Sequence, residues 1–146
     1  MAHGRQFVAA AAATVGTVLA LAAPAEAAAP NYILVTGRSL PQPILLADWN
    51  ENMRILLAVA NAPGATGDAG KRLAGRPRFD LAEFWHWAGR PRPTRPAAAS
   101  QHGTFYPAHR SERALIRLTV QGVTVLRVAP ASVLAAFRRH GIATRR

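Results

Sequence analysis

Cysteine is absent from the 146 residues, and acids are scarce, with 7 Asp plus Glu against 18 Lys plus Arg. Without cysteine there is no disulfide framework, no thiolate zinc centre and no cysteine nucleophile. No cysteine follows the N-terminal apolar run to carry a lipid, so the chain is not a lipoprotein. Six acids lie beyond residue 27, and at least three of these are expected at helix caps, which is thin material for paired-carboxylate chemistry. Serines 39, 100, 111 and 132 are present, but none sits in a Gly-x-Ser-x-Gly elbow. Gly64-Ala65-Thr66-Gly67 lacks the ending of a phosphate loop, and no His-Glu-x-x-His occurs. The low apolar content of a disordered chain is missing too, since half of the residues are hydrophobic. The length fits one domain with a modest core.

What is present begins with a leader. His3 and Arg5 precede an apolar run from Phe7 to Ala23, and Pro24 then breaks the helical tendency. Ala25-Glu26-Ala27 has the small-x-small form of a signal-peptidase site. Residues 1–27 therefore read as a secretory signal, and the expected location is secreted or extracytoplasmic. The run of about 17 residues is at the lower limit for spanning a bilayer. An uncleaved anchor over residues 7–23 and an alanine-rich soluble helix are the alternatives. Residues 28–146 are then one small domain, with flexible loops at 61–78, where Ala69 to Leu73 can form one short turn, and at 88–100.

Charge is segregated. Residues 28–70 hold Arg38 and Arg54 against Asp48, Glu51 and Asp68, whereas residues 71–146 hold fourteen Arg and Lys71 against Asp80, Glu83 and Glu112. Arginine makes bidentate contacts to carboxylate and phosphate. An exported basic surface suits an anionic cell-envelope polymer or lipid headgroups, with nucleic acid a weaker fit and a protein partner also open. A GC-biased genome gives the same arginine richness without any partner. The expected contacts are Arg76, Arg78, Arg90, Arg92 and Arg95, three of them in the proline-rich arm Gly89 to Ala99.

The periodicities predict an α+β fold, a small mostly antiparallel sheet with a C-terminal hairpin packed against two or three helices. Asn31–Thr36 and Ile44–Leu46 read as strands. Asp48 opens a helix with Glu51 at capping-box spacing; Trp49, Met53, Leu56, Leu57 and Ala60 are expected to line one buried face, and Ile55, Ala58 and Val59 widen it, so that more than one side is buried. Asp80 and Glu83 repeat that spacing and predict a short helix from Leu81 to Trp87. Gly103–Tyr106 reads as a strand. Ala114–Val120 and Val123–Val128 form a hairpin with Ile116, Leu118, Val120, Val123 and Val125 on one face. Pro130 starts a last helix, which Gly141 ends with Ile142 as its hydrophobic partner.

Candidate chemistry concentrates at Glu83, His86, His102 and Tyr106, with Asp80 and His109 nearby. A small metal-assisted hydrolase using His86, His102 and Glu83 is the enzymatic reading, although helix caps and surface histidines account for the same residues. Trp85 and Trp87 beside the Arg-Pro arm suit an anionic surface, or an Arg–Trp stack within the chain. No cofactor is implied. The leading expectation is a non-catalytic binding or structural domain for an anionic partner. An assembly module pairing through the exposed hairpin edge is the third reading.

Overall fold

The computed structural model describes residues 30–120 and 122–146, so the leader at 1–27 lies outside the described residues. The chain forms β1 (Tyr32–Thr36), β2 (Ile44–Leu46), α1 (Trp49–Asn61), α2 (Gly67–Lys71), β3 (Phe79–Phe84), β4 (Gln101–Tyr106), β5 (Leu115–Val120), β6 (Val123–Val128) and α3 (Ala131–Arg139). The strands make one sheet in the order β2-β1-β3-β4-β5-β6, with every neighbouring pair antiparallel. This is the expected α+β class with its C-terminal hairpin. Among the described residues, no helix is long and apolar enough to cross a membrane.

Side chains alternate across a strand, and residues opposite each other in register share a face. Ile33 and Val35 of β1, Phe79 and Leu81 of β3, Phe105 of β4 and Ile116 and Leu118 of β5 all turn toward the helices. There they pack with Ile55, Leu56 and Val59 of α1 and Val133, Ala136 and Phe137 of α3. Each large apolar side chain buried in this way contributes about 1.5–3 kcal/mol. The other face carries a smaller cluster of Leu34, Ala82 and Phe84, with Trp87 and Ala99 of the following arm laid over it.

Asp48 caps α1 as expected, its Oδ1 accepting from the Glu51 N–H at 2.8 Å. The capping box is only half formed, because the Glu51 carboxylate reaches α3 instead. It accepts from Arg139 Nη2 and pairs with His140 Nε2, both at 2.7 Å. The buried side of α1 is Asn52, Ile55, Leu56 and Val59. Trp49 and Leu57, expected to be inside, are about half exposed. The stripe is turned because Asn52, the polar residue that sequence reasoning passed over, is pinned under the sheet end. Its amide donates to the carbonyls of Pro30, Asn31 and Leu46.

The C-terminus of α3 follows the expected Schellman pattern. Gly141 takes φ +77°, its N–H reaches Arg138 O, and the Ile142 N–H reaches Phe137 O at 2.9 Å. Ile142 is buried against the core.

One predicted element is of another type. The helix predicted over 81–87 is the end of strand β3 and the turn that follows it, and Asp80 is a strand residue rather than a cap. β3 lies between β1 and β4 and is covered on both faces, so neighbouring ladders supply the partners that a helix cap would have supplied. The segment at 61–78 contains the short helix α2, overlapping the expected short turn, and the segment at 88–100 contains a 3-10 turn at Pro96–Ala98. The outer edge of β6 is also partly covered. Gly64 bridges Arg127, Ala65 donates to Leu126 O, and Val128 donates to Pro63 O. The stretch at Val123 keeps its exposure.

Candidate functional site

The residues offered for metal-assisted chemistry do not converge. Glu83 points to the helix side of β3. His102 pairs in register with Ala82, so it lies on the opposite face, where it is exposed. His86 sits beyond the end of β3, exposed and in a left-handed conformation at φ 52°. Tyr106 is buried at the far end of β4, about 14 Å along the strand from His102. Among the described residues, no group of three His, Cys, Asp or Glu side chains could hold a metal ion. His109 and Glu112 close a tight turn on each other through their backbones, and Asp48 is occupied at its cap.

Glu83 is the most unusual of these residues. It is 1% exposed. Burial pushes its pKa up to about 7, against the opposing pull of the Trp85 indole N–H. That N–H donates to Oε2 at 3.1 Å. The other oxygen, Oε1, is buried and finds no partner among the described residues, as does Oε1 of Gln101 directly across the ladder. A neutral Glu83 is what such an apolar setting favours, because an unpaired buried carboxylate is costly. The glycine beside it is obligatory. A Cβ on Gly103 would lie 2.6 Å from Arg117 O and 2.5 Å from the Leu118 side chain.

The arginines divide into three kinds. Arg76 is not an outward contact, which corrects the expectation for it. Its side chain is buried, with Nη2 donating to Pro107 O at 2.8 Å and Arg113 O at 3.0 Å, and Nη1 pairing with Glu112 at 3.2 Å. Arg76 thus clamps the segment before β3 to the turn after β4. Arg78 is exposed and makes only a loose pair with Asp80 at 3.8 Å. Arg90, Arg92 and Arg95 are exposed on the arm after β3.

The arm is anchored at its base. The Trp87 N–H donates to Asn31 Oδ1 at 2.6 Å, and the Trp85 N–H to Ser100 Oγ at 3.3 Å. The Trp87 ring meets Phe84 edge-on at 5.0 Å between centroids, and its indole N–H donates to Pro91 O at 2.8 Å. The Arg90 guanidinium lies over the same ring at 4.8 Å, the Arg–Trp stack within the chain that the sequence raised. Trp85 instead packs toward the helix-side core. The two tryptophans therefore serve opposite faces of the sheet.

Two arginines that sequence reasoning left aside, Arg38 and Arg146, join Arg78 around one cleft. Gly37-Arg38-Ser39 could have flagged half of it as a tight turn carrying a cation and a hydroxyl. Nothing local could have brought Arg146 there. Comparison with protein-family models, curated proteins and solved structures finds no match for this chain.

Proposed function

We propose that this is a non-catalytic binding domain that docks an anionic partner through the arginine-bearing arm after β3, with Arg90, Arg92 and Arg95 as its contacts. One observation carries this reading. Arg90, Arg92 and Arg95 enter no ion pair among the described residues, while Glu51, Asp68, Asp80 and Glu112 are each already beside a cation. The arm is also held ready rather than loose. Trp87 roots it on the sheet, and Pro91, Pro93 and Pro96 restrict its backbone. A pre-ordered cationic segment loses little entropy when it meets an anionic polymer or a headgroup surface. Export through residues 1–27 belongs to the same reading, since it would bring the arm to the cell envelope.

The test is retention of the full chain on phosphatidylglycerol vesicles and on soluble polyphosphate at about 0.15 M salt. At about 1 kcal/mol per arginine near an anionic surface, R90Q/R92Q/R95Q should bind on the order of 100-fold more weakly. Equal retention of the wild type and the triple variant would retire the arm as the binding element.

A further inference from the structure

At the opposite end of β3 from the arm, about 17 Å along the strand, the chain closes a cleft of about 480 Å³ lined by Arg38, Ser39, Arg76, Arg78, Asp80 and Arg146. Of its four guanidinium groups, only that of Arg76 is buried, with both terminal nitrogens engaged elsewhere. The single acidic side chain is Asp80, whose 3.8 Å approach to Arg78 is well beyond the roughly 2.8 Å of a close charge-assisted hydrogen bond. Three cationic side chains thus share one concavity with one weakly engaged acidic side chain. Like charges gathered in this way repel, and an anion seated among them relieves the repulsion.

The walls are fixed by the fold. Gly37 ends β1 in a turn closed by the Leu40 N–H on Gly37 O at 3.0 Å, which carries Arg38 and Ser39 at its tip. That turn lies hard against the buried Phe79 ring, since a Cβ at Gly37 would come within 2.7 Å of it. On the other side, the Arg146 guanidinium lies over the same ring at 5.5 Å. Arg146 is held there because its N–H donates to Ala108 O at 2.8 Å and its carbonyl meets His109 Nδ1 at 3.0 Å. Phe79 is therefore a rigid apolar floor, with the Arg146 guanidinium over its ring and the turn that bears Arg38 packed against it. Arg78, immediately before it in the chain, supplies the third cation.

We infer that this cleft is a second anion site, separate from the arm, which takes a phosphate group. Planar guanidinium forks and a hydroxyl match the several acceptor oxygens of a tetrahedral dianion better than the two of a lone carboxylate. The free phosphate ion and the phosphomonoester headgroup of a lipid offer the same chemistry.

The experiment is calorimetric titration of the full-length protein with inorganic phosphate, against sulfate and acetate at matched ionic strength. Flotation with phosphatidic acid vesicles runs in parallel. Phosphate should bind the wild type about tenfold more tightly than it binds R38Q/R78Q, and acetate should bind weakly to both. R92Q/R95Q should match the wild type for phosphate, which separates this site from the arm. Arg38 and Arg78 are exposed, so the double variant should keep its fold, and circular dichroism checks this. If it does not, the single variant R38Q is titrated in its place, with the same reduction in affinity expected in direction. If vesicles but not free phosphate distinguish the wild type from the variant, the source is a lipid headgroup. If both do, a free phosphate suffices. If neither free phosphate nor the vesicles distinguish the wild type from the variant, or if acetate distinguishes them by the same factor as phosphate, the site is overturned.

Discussion

Around Glu83, in the layer between sheet and helices, a buried carboxyl group meets one indole N–H, with no cation beside it among the described residues. On the rim, at the arm and at the Gly37 turn, guanidinium groups stand exposed with no close carboxylate. A chain with 18 basic residues could have sent one of them inward to Glu83. It sends Arg139 and His140 to Glu51 and Arg76 to Glu112, both nearer the surface. Glu51 shows what a cation does to such an acid. Burial raises its pKa, but the hydrogen bonds and charges of His140 and Arg139 outweigh burial and hold it below the ordinary value. The interior thus favours the protonated form of its acid. The surplus positive charge stays at the rim, where a partner can reach it.

The largest expected effects concern the interior. Gly103→Ala should cost about 3 kcal/mol, because its methyl group would meet the backbone of Arg117 as well as Leu118. Urea unfolding measures this, and a cost under 1 kcal/mol would show that the sheet opens more easily than its register implies. The wild type should also lose about 3 kcal/mol of stability as pH rises from 4.5 to about 7. The folded form holds the Glu83 proton across that window and the unfolded chain has released it. The contribution is therefore fully present below the lower value and gone above the higher one. Glu83→Gln should flatten this dependence while leaving retention on anionic vesicles unchanged. A variant that keeps the slope would place the titrating group elsewhere.

A smaller effect belongs to the seam between the helices. Glu51→Gln should cost about 1 kcal/mol by loosening the contacts with His140 and Arg139. It should also remove a stability contribution that the wild type loses as pH falls through the lowered carboxyl value. Double-mutant cycles with Arg139→Ala measure the coupling. The smallest effect on stability, within about 0.5 kcal/mol, is expected at the rim for R92Q/R95Q. A larger loss there would mean that the arm is part of the fold.

Much of the fold was legible where local chemistry and periodicity agreed. Asp48 capped α1, Gly141 and Ile142 closed α3, and the hairpin register placed Ile116 and Leu118 inside. The reading failed at Asp80 and Glu83. Their helix-cap spacing is also the spacing of two residues on opposite faces of a strand, and a charged residue in a core position hid the alternation of Phe79, Leu81 and Glu83. Asn52 turned α1 because its partners come from Pro30, Asn31 and Leu46, and no window around the helix contains all of them. The arm was visible as Arg-Pro repetition. The cleft was not, because Arg38, Arg78 and Arg146 meet only after the sheet has closed.

The most direct test of the account is the retention of wild type and R90Q/R92Q/R95Q on phosphatidylglycerol vesicles over a series of salt concentrations. The arm reading predicts strong wild-type binding that falls steeply with salt, and a triple variant that binds weakly throughout with a shallower slope. Superimposable salt curves for the two proteins would contradict it.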